Sequence, residues 1–227
     1  MTRRSYYQFC GLSRALDVVG ERWTLLIVRE LMAGPKRYSD LSDALTGIGT
    51  SLLATRLKQL ESDDIVNRRY LSPPAASTVY ELTAAGQELA DAMVPLAMWG
   101  ARHHAVDGRT GSEKFRADWA LLFLARLVDT TDLSGADDTY EFRVDDSTAT
   151  MRVDRGQITV TPGSAVDTAN AAADAVIVTD STTMAAISGG RLTVADALAG
   201  GAVTIDGSPA SLGPILAAIQ ERLPAHP

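Results

Sequence analysis

Between Ile48 and Glu61, small polar side chains and one lysine recur at positions that could contact DNA. In a helix, with about 100° per residue, Leu53, Leu57 and Leu60 fall on one face, which we expect to be buried. The opposite face carries several donors and acceptors, one cation and no acid: Ser51, Thr55, Lys58, Gln59 and Ser62. Such a face can enter the major groove, where small polar side chains reach base edges and cations meet phosphates. The alternative is an ordinary solvated surface.

The residues around this stretch predict the elements that hold it. Thr50 or Ser51 can cap its first turn, and a glycine-containing turn precedes it. Helices are predicted upstream over residues 12–19, 21–32 and 39–45, two strands downstream over 65–71 and 78–82, and a long helix to about residue 104. The buried stripe predicted for the second helix consists of Trp23, Leu26, Ile27 and Leu31. Two prolines in the 72–77 loop favour a projecting tip, and Pro95 should kink the long helix. This order predicts a winged helix-turn-helix domain.

Cations and polar residues on three parts of this predicted domain form the candidate DNA-binding set. Its members are Lys36, Arg37, Thr50, Ser51, Thr55, Arg56, Lys58, Gln59, Arg68 and Arg69. Ordinary surface charge is the competing interpretation for the cations. Arg56 lies towards the core edge of its helix, so a pair with a nearby carboxylate is an alternative for that residue.

The charge of the chain is divided unevenly. The net charge is −7, which argues against broad affinity for nucleic acids. Residues 1–104 hold 12 Lys and Arg against 11 Asp and Glu, a net charge of +1, whereas residues 105–227 hold 9 against 17, a net charge of −8. A nearly neutral first half with clustered cations can still bind DNA, and we expect the acidic second half to face away from it.

After a small hinge at residues 108–111, the second half predicts a separate α+β domain. A helix over about 113–129, strands near 140–144, 149–153, 158–160, 175–179 and 203–205, and three further helices indicate a mostly antiparallel sheet with covering helices. Residues 162–173 are predicted as a loop. The predicted domains are 1–107, for DNA binding and dimerisation, and 112–227. Five apolar residues of the second domain could line an effector pocket, although plain core is the alternative: Trp119, Leu122, Phe123, Phe142 and Met151.

The first half resembles the HxlR-type winged-helix transcriptional regulators. The resemblance rests on CGLSRALDVVGERWTLLIVREL (residues 10–31), YSDL (38–41), LATRLKQLE (53–61) and YELT (80–83). It implies a dimer joined through the N-terminal segment and the long helix, with recognition by the helix from about Thr50 and the wing on the DNA backbone or minor groove. Gly11 departs from the usual proline, and Asp64 from the usual glycine; Asp64 tolerates a left-handed backbone better than most residues.

The second half resembles the sterol-carrier-protein type of lipid-binding domain. The resemblance rests on DAVIVTDSTTM (174–184) and SGGRLTVADALAGGAVTIDG (188–207), a pattern of strand, helix, glycine, helix, glycine and strand. It implies a sheet and helices that enclose an apolar tunnel for acyl or sterol-like molecules. The fold alone does not fix a ligand.

The sequence gives little support for redox sensing, metal binding or catalysis. Cys10 could sense oxidants or electrophiles, as an N-terminal cysteine does in regulators of the resembling type, or it could be a small apolar residue at a dimer contact. His103 and His104 diverge on a helix, so we predict a solvated pair and no metal site. Neither Ser181 nor Ser188 has the surroundings of a hydrolase nucleophile, so no catalysis and no cofactor are predicted.

No apolar run reaches the roughly 18 residues of a membrane span. We expect a cytoplasmic protein that does not contact a membrane.

These observations favour a dimeric transcriptional regulator that binds a double-stranded operator. Its second domain would bind a small apolar or amphipathic effector, with release from DNA, as in a repressor, as the default response. A second hypothesis has the signal enter at Cys10 and the second domain serve only as an oligomerisation or partner module. A third hypothesis is a lipid carrier or enzyme whose winged helix binds protein.

Overall fold

The computed structural model describes residues 5–74, 76–105, 108–111, 113–128, 133, 135–169, 172–207 and 212–223. The chain divides into two compact units, Met1–Met93 and Val94–Pro227, here called unit 1 and unit 2. The division falls inside the long helix. The boundary between domains that the sequence predicts, at residues 107–112, stays a prediction.

Unit 1 is built mainly from helices. Its helices are α1 (Gly11–Val19), α2 (Thr24–Met32), α3 (Tyr38–Ala44) and α4 (Thr50–Ser62), and α5 (Ala84–His104) begins in it. The predicted start of the second helix at Glu21 is wrong, because Trp23 adopts a left-handed backbone with φ of 80° and α2 begins after it. The predicted stripe is also wrong at Leu26, which is exposed, while Val28 is fully buried.

A three-stranded sheet completes unit 1. Its strands are β1 (Lys36–Arg37), β2 (Val66–Leu71) and β3 (Ser77–Leu82), in the order β1-β3-β2. The hairpin of β2 and β3 confirms the predicted wing. The sequence did not predict β1, because two residues are too short to show an alternating pattern. Helix α3, a glycine-containing turn, α4 and the hairpin follow one another in the predicted winged helix-turn-helix order.

Unit 2 contains a five-stranded sheet. Its strands are β4 (Asp137–Val144), β5 (Ser147–Asp154), β6 (Gln157–Pro162), β7 (Ala175–Thr179) and β8 (Thr204–Asp206), in the order β6-β5-β4-β7-β8. Only the β4–β7 pair is parallel. The register places Tyr140, Phe142, Met151 and Ile177 on one face, whereas Glu141 and Thr150 lie on the other. With the helices, this sheet makes unit 2 a mixture of helix and strand.

Helices α6 (Ala117–Ala125) and α7 (Ala165–Ala169) pack against the sheet of unit 2. The other helices described after α5 are α8 (Ser181–Ser188), α9 (Val194–Ala199) and α10 (Leu212–Arg222). The helix predicted from Glu113 starts later, at Ala117; before it, the Glu113 amide donates to the Thr110 carbonyl at 3.0 Å. Asp129, its predicted end, lies outside the described residues. Residues 162–173 contain α7 as well as loop, since a helix of five residues is too short to show a periodic stripe.

No helix among the described residues is long and apolar enough to cross a membrane.

Candidate nucleic-acid interface

The core of unit 1 fixes the orientation of α4. Leu53, Leu57 and Leu60 are 0%, 1% and 2% exposed, which confirms the predicted inner face. The Tyr38 hydroxyl donates to the Thr50 carbonyl at 2.7 Å and ties α3 to the first turn of α4. The predicted cap by Thr50 or Ser51 is wrong: Gly49 occupies the N-cap position, and no side chain caps the helix. Both residues are exposed and lie in the first turn of α4.

The face of α4 opposite these leucines is exposed. We call it the outward face; it consists of Ser51, Ala54, Thr55, Lys58 and Ser62. It contains no acid, as predicted from the sequence. The Thr55 hydroxyl donates to the Ser51 carbonyl at 2.8 Å, one turn earlier. Ala54 was not among the predicted contacts, although the same helical period that selected Thr55 and Lys58 also places it on this face.

The side chains of Arg56 and Gln59 are hydrogen-bonded to each other, and Arg56 also pairs with Glu21 outside α4. The Arg56 guanidinium lies 2.7 Å from Glu21 and donates to the Gln59 side-chain oxygen at 2.6 Å. The Arg56 side chain is 13% exposed. The alternative ion pair considered for Arg56 is therefore present, and this guanidinium holds α4 against the turn that precedes α2.

The three-stranded sheet of unit 1 places four of the predicted DNA-binding cations in two rows. Lys36 and Arg68 both pair with Tyr80 from opposite sides, so the three residues lie in one row on one face. Arg37 and Arg69 flank Val79 in the same way in the neighbouring row, on the other face. The short strand β1, which the sequence did not reveal, thus brings Lys36 level with Arg68.

The second row is engaged within the protein. Two nitrogens of Arg69 donate to the Glu81 carboxylate at 2.9–3.1 Å. This hydrogen-bonded pair raises the pKa of Arg69 and lowers the pKa of Glu81. Arg37 donates from Nε to the Ser77 hydroxyl at 3.1 Å. By contrast, the side chains of Lys36, Lys58 and Arg68 have no hydrogen-bond or ion-pair partner in the part of the chain that the structure describes.

The turn after α4 sets where the wing begins. Asp64 adopts a left-handed backbone with φ of 56°, as expected for the position where the resembling family has glycine. Its carbonyl accepts from the Thr83 hydroxyl, and the Thr83 amide donates to the Ile65 carbonyl at 3.1 Å. The start of β2 is therefore fixed to the start of α5.

The predicted effector residues lie on two elements of unit 2 that are in contact. Trp119, Leu122 and Phe123 are on α6, which packs against β5 and β6. Phe142 and Met151 share one face of the sheet. Leu122 and Met151 are buried, and the other three are half-buried. Their role stays a prediction.

His103 and His104 are exposed at the end of α5, with ring centroids 5.6 and 5.0 Å from that of Trp99. Among the residues described, no group of three His, Cys, Asp or Glu side chains could hold a metal ion. Cys10 is exposed at the N-cap of α1, where the amides of Ser13 and Leu12 lower the pKa of its thiol.

The first part of the chain is similar to known transcriptional regulators. A family model described as HxlR-like helix-turn-helix matches residues 18–107. A helix-turn-helix-type transcriptional regulator of Synechocystis is 34% identical over 87 residues, which are 38% of this chain and 64% of that protein. A regulator of the same type from Mycobacterium tuberculosis is 42% identical over 90 residues, which are 40% of this chain and 56% of that protein.

Two further similarities concern the regulator YodB of Bacillus subtilis. Its reduced form is a solved structure with 32% identity and a TM-score of 0.39 to this chain, covering 43% of this chain and 96% of its own. In sequence, YodB is 34% identical over 88 residues, which are 39% of this chain and 79% of YodB. With the match to the family model and the sequence identity to YodB over most of that protein, the chain belongs to the HxlR-type family of helix-turn-helix transcriptional regulators.

Proposed function

We propose that the protein acts as a dimer that reads an operator with α4 and holds its backbone with the wing. The observation that carries this proposal is the outward face of α4, which is exposed and acid-free although the chain has a net charge of −7. Lys58 on this face and Lys36 and Arg68 on the sheet are available to phosphates. Polar base contacts and phosphate contacts would thus come from separate elements of unit 1.

An exposed aromatic arm supports the proposed dimer. In unit 1, Tyr6, Tyr7 and Phe9 are 57%, 91% and 103% exposed. Asp17 accepts from the Ser5 hydroxyl and from the Tyr6 amide, both at 3.0 Å, so the arm is held on α1 while its rings face solvent. Burying such rings against a second copy would remove a large apolar area from water. Two copies would present two α4 helices to half-sites about 34 Å apart.

For unit 2 we propose binding of a small apolar or amphipathic effector in a sterol-carrier-like fold. The run β7–α8–α9–β8 follows the order that the resemblance implies. Asp180 caps α8 by accepting from the Thr183 amide at 2.8 Å, and Thr193 caps α9 by accepting from the Asp196 amide at 3.0 Å. A Cβ at Gly207 would lie 2.2 Å from the Asp174 carbonyl oxygen, so this position requires glycine. The motif residues thus have local structural roles that support the resemblance.

Contacts within unit 2 give the proposed effector a connection to α5. Arg102, on α5, donates from Nε to the Gly189 carbonyl at 2.8 Å. Arg191 donates to the Ala105 carbonyl at 3.0 Å, near the end of α5. A Cβ at Gly189 would lie 2.9 Å from the Arg102 backbone, so the turn after α8 and α5 are in close contact. A shift of α8 would therefore move α5, the helix that we propose contributes to dimerisation, and release from DNA is the response we propose.

Selection from a random-sequence duplex library tests the DNA-binding proposal. We expect enrichment of inverted repeats by the full-length protein. For the best site, Lys58→Ala and Arg68→Ala should each reduce the slope of log affinity against log salt by about 0.9 if each contacts one phosphate. Lys114→Ala, an exposed cation in unit 2, is the control and should change nothing. Unchanged affinity and slope in both unit 1 variants would defeat the proposal, and no enrichment would favour the lipid-carrier alternative.

A thermal-shift screen with fatty acids and aromatic metabolites tests the effector. A ligand that stabilises the protein should also lower its affinity for the selected site. In the Arg191→Ala variant the same ligand should still raise the unfolding temperature but should lower DNA affinity less. A ligand that stabilises the protein and leaves DNA affinity unchanged would exclude the proposed coupling.

Sensing through Cys10 is a second candidate signal. The thiol is exposed and its pKa is lowered, which favours the reactive thiolate. Solved structures of YodB include diamide-treated and quinone-bound forms, and a redox regulator, HypR, has been solved in reduced and oxidised forms. Treatment with diamide or a quinone should weaken binding to the selected site in the parent protein, and Cys10→Ser should abolish this response. An identical response in the variant would exclude Cys10.

A further inference from the structure

The outward face of α4 carries few of the side chains that most often identify bases in the major groove. Guanine is commonly read by an arginine or a lysine, and adenine by the paired donor and acceptor of an asparagine or glutamine. Of these residue types the outward face holds only Lys58, in the second half of α4. The arginine of α4, Arg56, is bound to Glu21 at 2.7 Å. Gln59 is half-buried, and its oxygen accepts from Arg56 at 2.6 Å, so only its donors remain. Reading guanine through Arg56, or adenine through Gln59, would require these bonds to break.

The groups that remain on this face are small and partly apolar. The Thr55 hydroxyl already donates its proton to the Ser51 carbonyl at 2.8 Å, so it cannot also donate to a base. The Cβ of Thr55 carries a methyl group as well, and the neighbouring Ala54 offers only a methyl group on the same exposed face. Two methyl-bearing residues therefore lie next to each other in the first half of α4, the part of a recognition helix that contacts base edges.

Thymine is the base that matches these groups, because it carries a methyl group in the major groove that apolar side chains contact. We propose that Ala54 and Thr55 determine operator specificity by packing against thymine methyl groups, with Ser51 and Lys58 as the polar contacts around them. This inference rests on the proposed DNA-binding function and specifies its substrate: a half-site with thymine at the positions that face the first two turns of α4.

Two random-sequence duplex libraries test the inference with the full-length protein, one made with thymine and the other with uracil, which lacks the methyl group. We expect a motif with thymines in each half-site from the first library and weaker enrichment from the second. In the best site, uracil at a contacted position should lower affinity about fourfold for each methyl group, the factor for burying about one methylene.

Variants of Thr55 assign the effect to a side chain. Thr55→Ser removes only the methyl group and keeps the hydroxyl, so it should weaken binding to the thymine site and leave binding to the uracil site unchanged. Thr55→Val keeps a methyl group and should bind the thymine site like the parent. Ala54→Gly should act like Thr55→Ser, provided that its unfolding temperature matches that of the parent.

The outcomes separate the two proposals. Equal affinity for thymine and uracil sites, with clear enrichment in both libraries, would overturn thymine recognition and leave DNA binding intact. No enrichment in either library would overturn the DNA-binding function and this inference with it.

Discussion

The sheets of the two units use their polar side chains in opposite ways. In unit 1, Lys36 and Arg68 lie in one row, and their side chains have no hydrogen-bond or ion-pair partner among the described residues. In unit 2, Glu141 on β4 is 5% exposed, lies 2.7 Å from Arg143 and accepts from the Ala165 amide at 2.9 Å. The sheet of unit 1 thus leaves two cationic side chains without an internal partner, whereas in unit 2 the buried carboxylate of Glu141 holds the start of helix α7.

The largest expected effect concerns the backbone packing of unit 2. Gly207 has φ of 104°, and a Cβ there would meet the Asp174 carbonyl oxygen at 2.2 Å. Gly207→Ala should lower the free energy of unfolding of unit 2 by about 3 kcal/mol, through strain and overpacking. Urea denaturation followed by circular dichroism measures it. Gly213→Ala, in α10 with nothing within 4 Å, is the control and should not destabilise the protein.

Glu141→Gln tests whether the buried charge stabilises unit 2. The Ala165 amide lowers the pKa of Glu141, burial opposes the shift, and Arg143 adds to it. We expect a loss of about 2 kcal/mol in the free energy of unfolding at pH 7. Because the pKa is lowered on folding, the contribution is complete above the unfolded pKa, about 4.3, and disappears as the pH falls through the folded value.

The parent and Glu141→Gln should therefore converge in stability on acidification from pH 7 to about pH 3, as urea denaturation across this range would show. Glu221→Gln, at an exposed position of α10, is the matched control. A gap between parent and Glu141→Gln that stays constant over the range would show that the charge of Glu141 contributes nothing.

A smaller effect on stability is expected from the N-terminal caps of α8 and α4, which differ. Asp180 caps α8, so Asp180→Ala should cost about 1 kcal/mol in the free energy of unfolding. Thr50→Ala should cost nothing, because Gly49 is the N-cap of α4 and no side chain caps it. Thermal unfolding of both variants checks the contrast. Equal destabilisation of both would contradict it.

The smallest expected effect compares two neighbouring arginines on β2. Arg68→Ala should reduce the salt dependence of DNA binding by about 0.9 if Arg68 contacts one phosphate. Arg69→Ala should reduce it less, since Arg69 is already bound to Glu81. Anisotropy titrations of a selected site at several salt concentrations measure both slopes. A larger change for Arg69→Ala would reverse the assignment of the two rows.

Local patterns predicted the repeating parts of the structure. The leucine stripe of α4 depends on residues at most seven positions apart, so it could be predicted directly from the sequence. The elements that the sequence did not predict, or predicted with the wrong start, have other causes. Strand β1 and helix α7 are too short for a period, and the left-handed backbone of Trp23 shifts the start of α2.

The sequence by itself determined that a helix beginning near Thr50 has a leucine face and an acid-free polar face, because helical geometry converts spacing into sides. It also determined that negative charge is concentrated in the second half. Only the tertiary structure decided which polar groups stay available. Arg56 meets Glu21 across 35 residues, and Arg69 meets Glu81 across the wing. Such pairs form between segments that folding brings together, so spacing along the chain cannot reveal them.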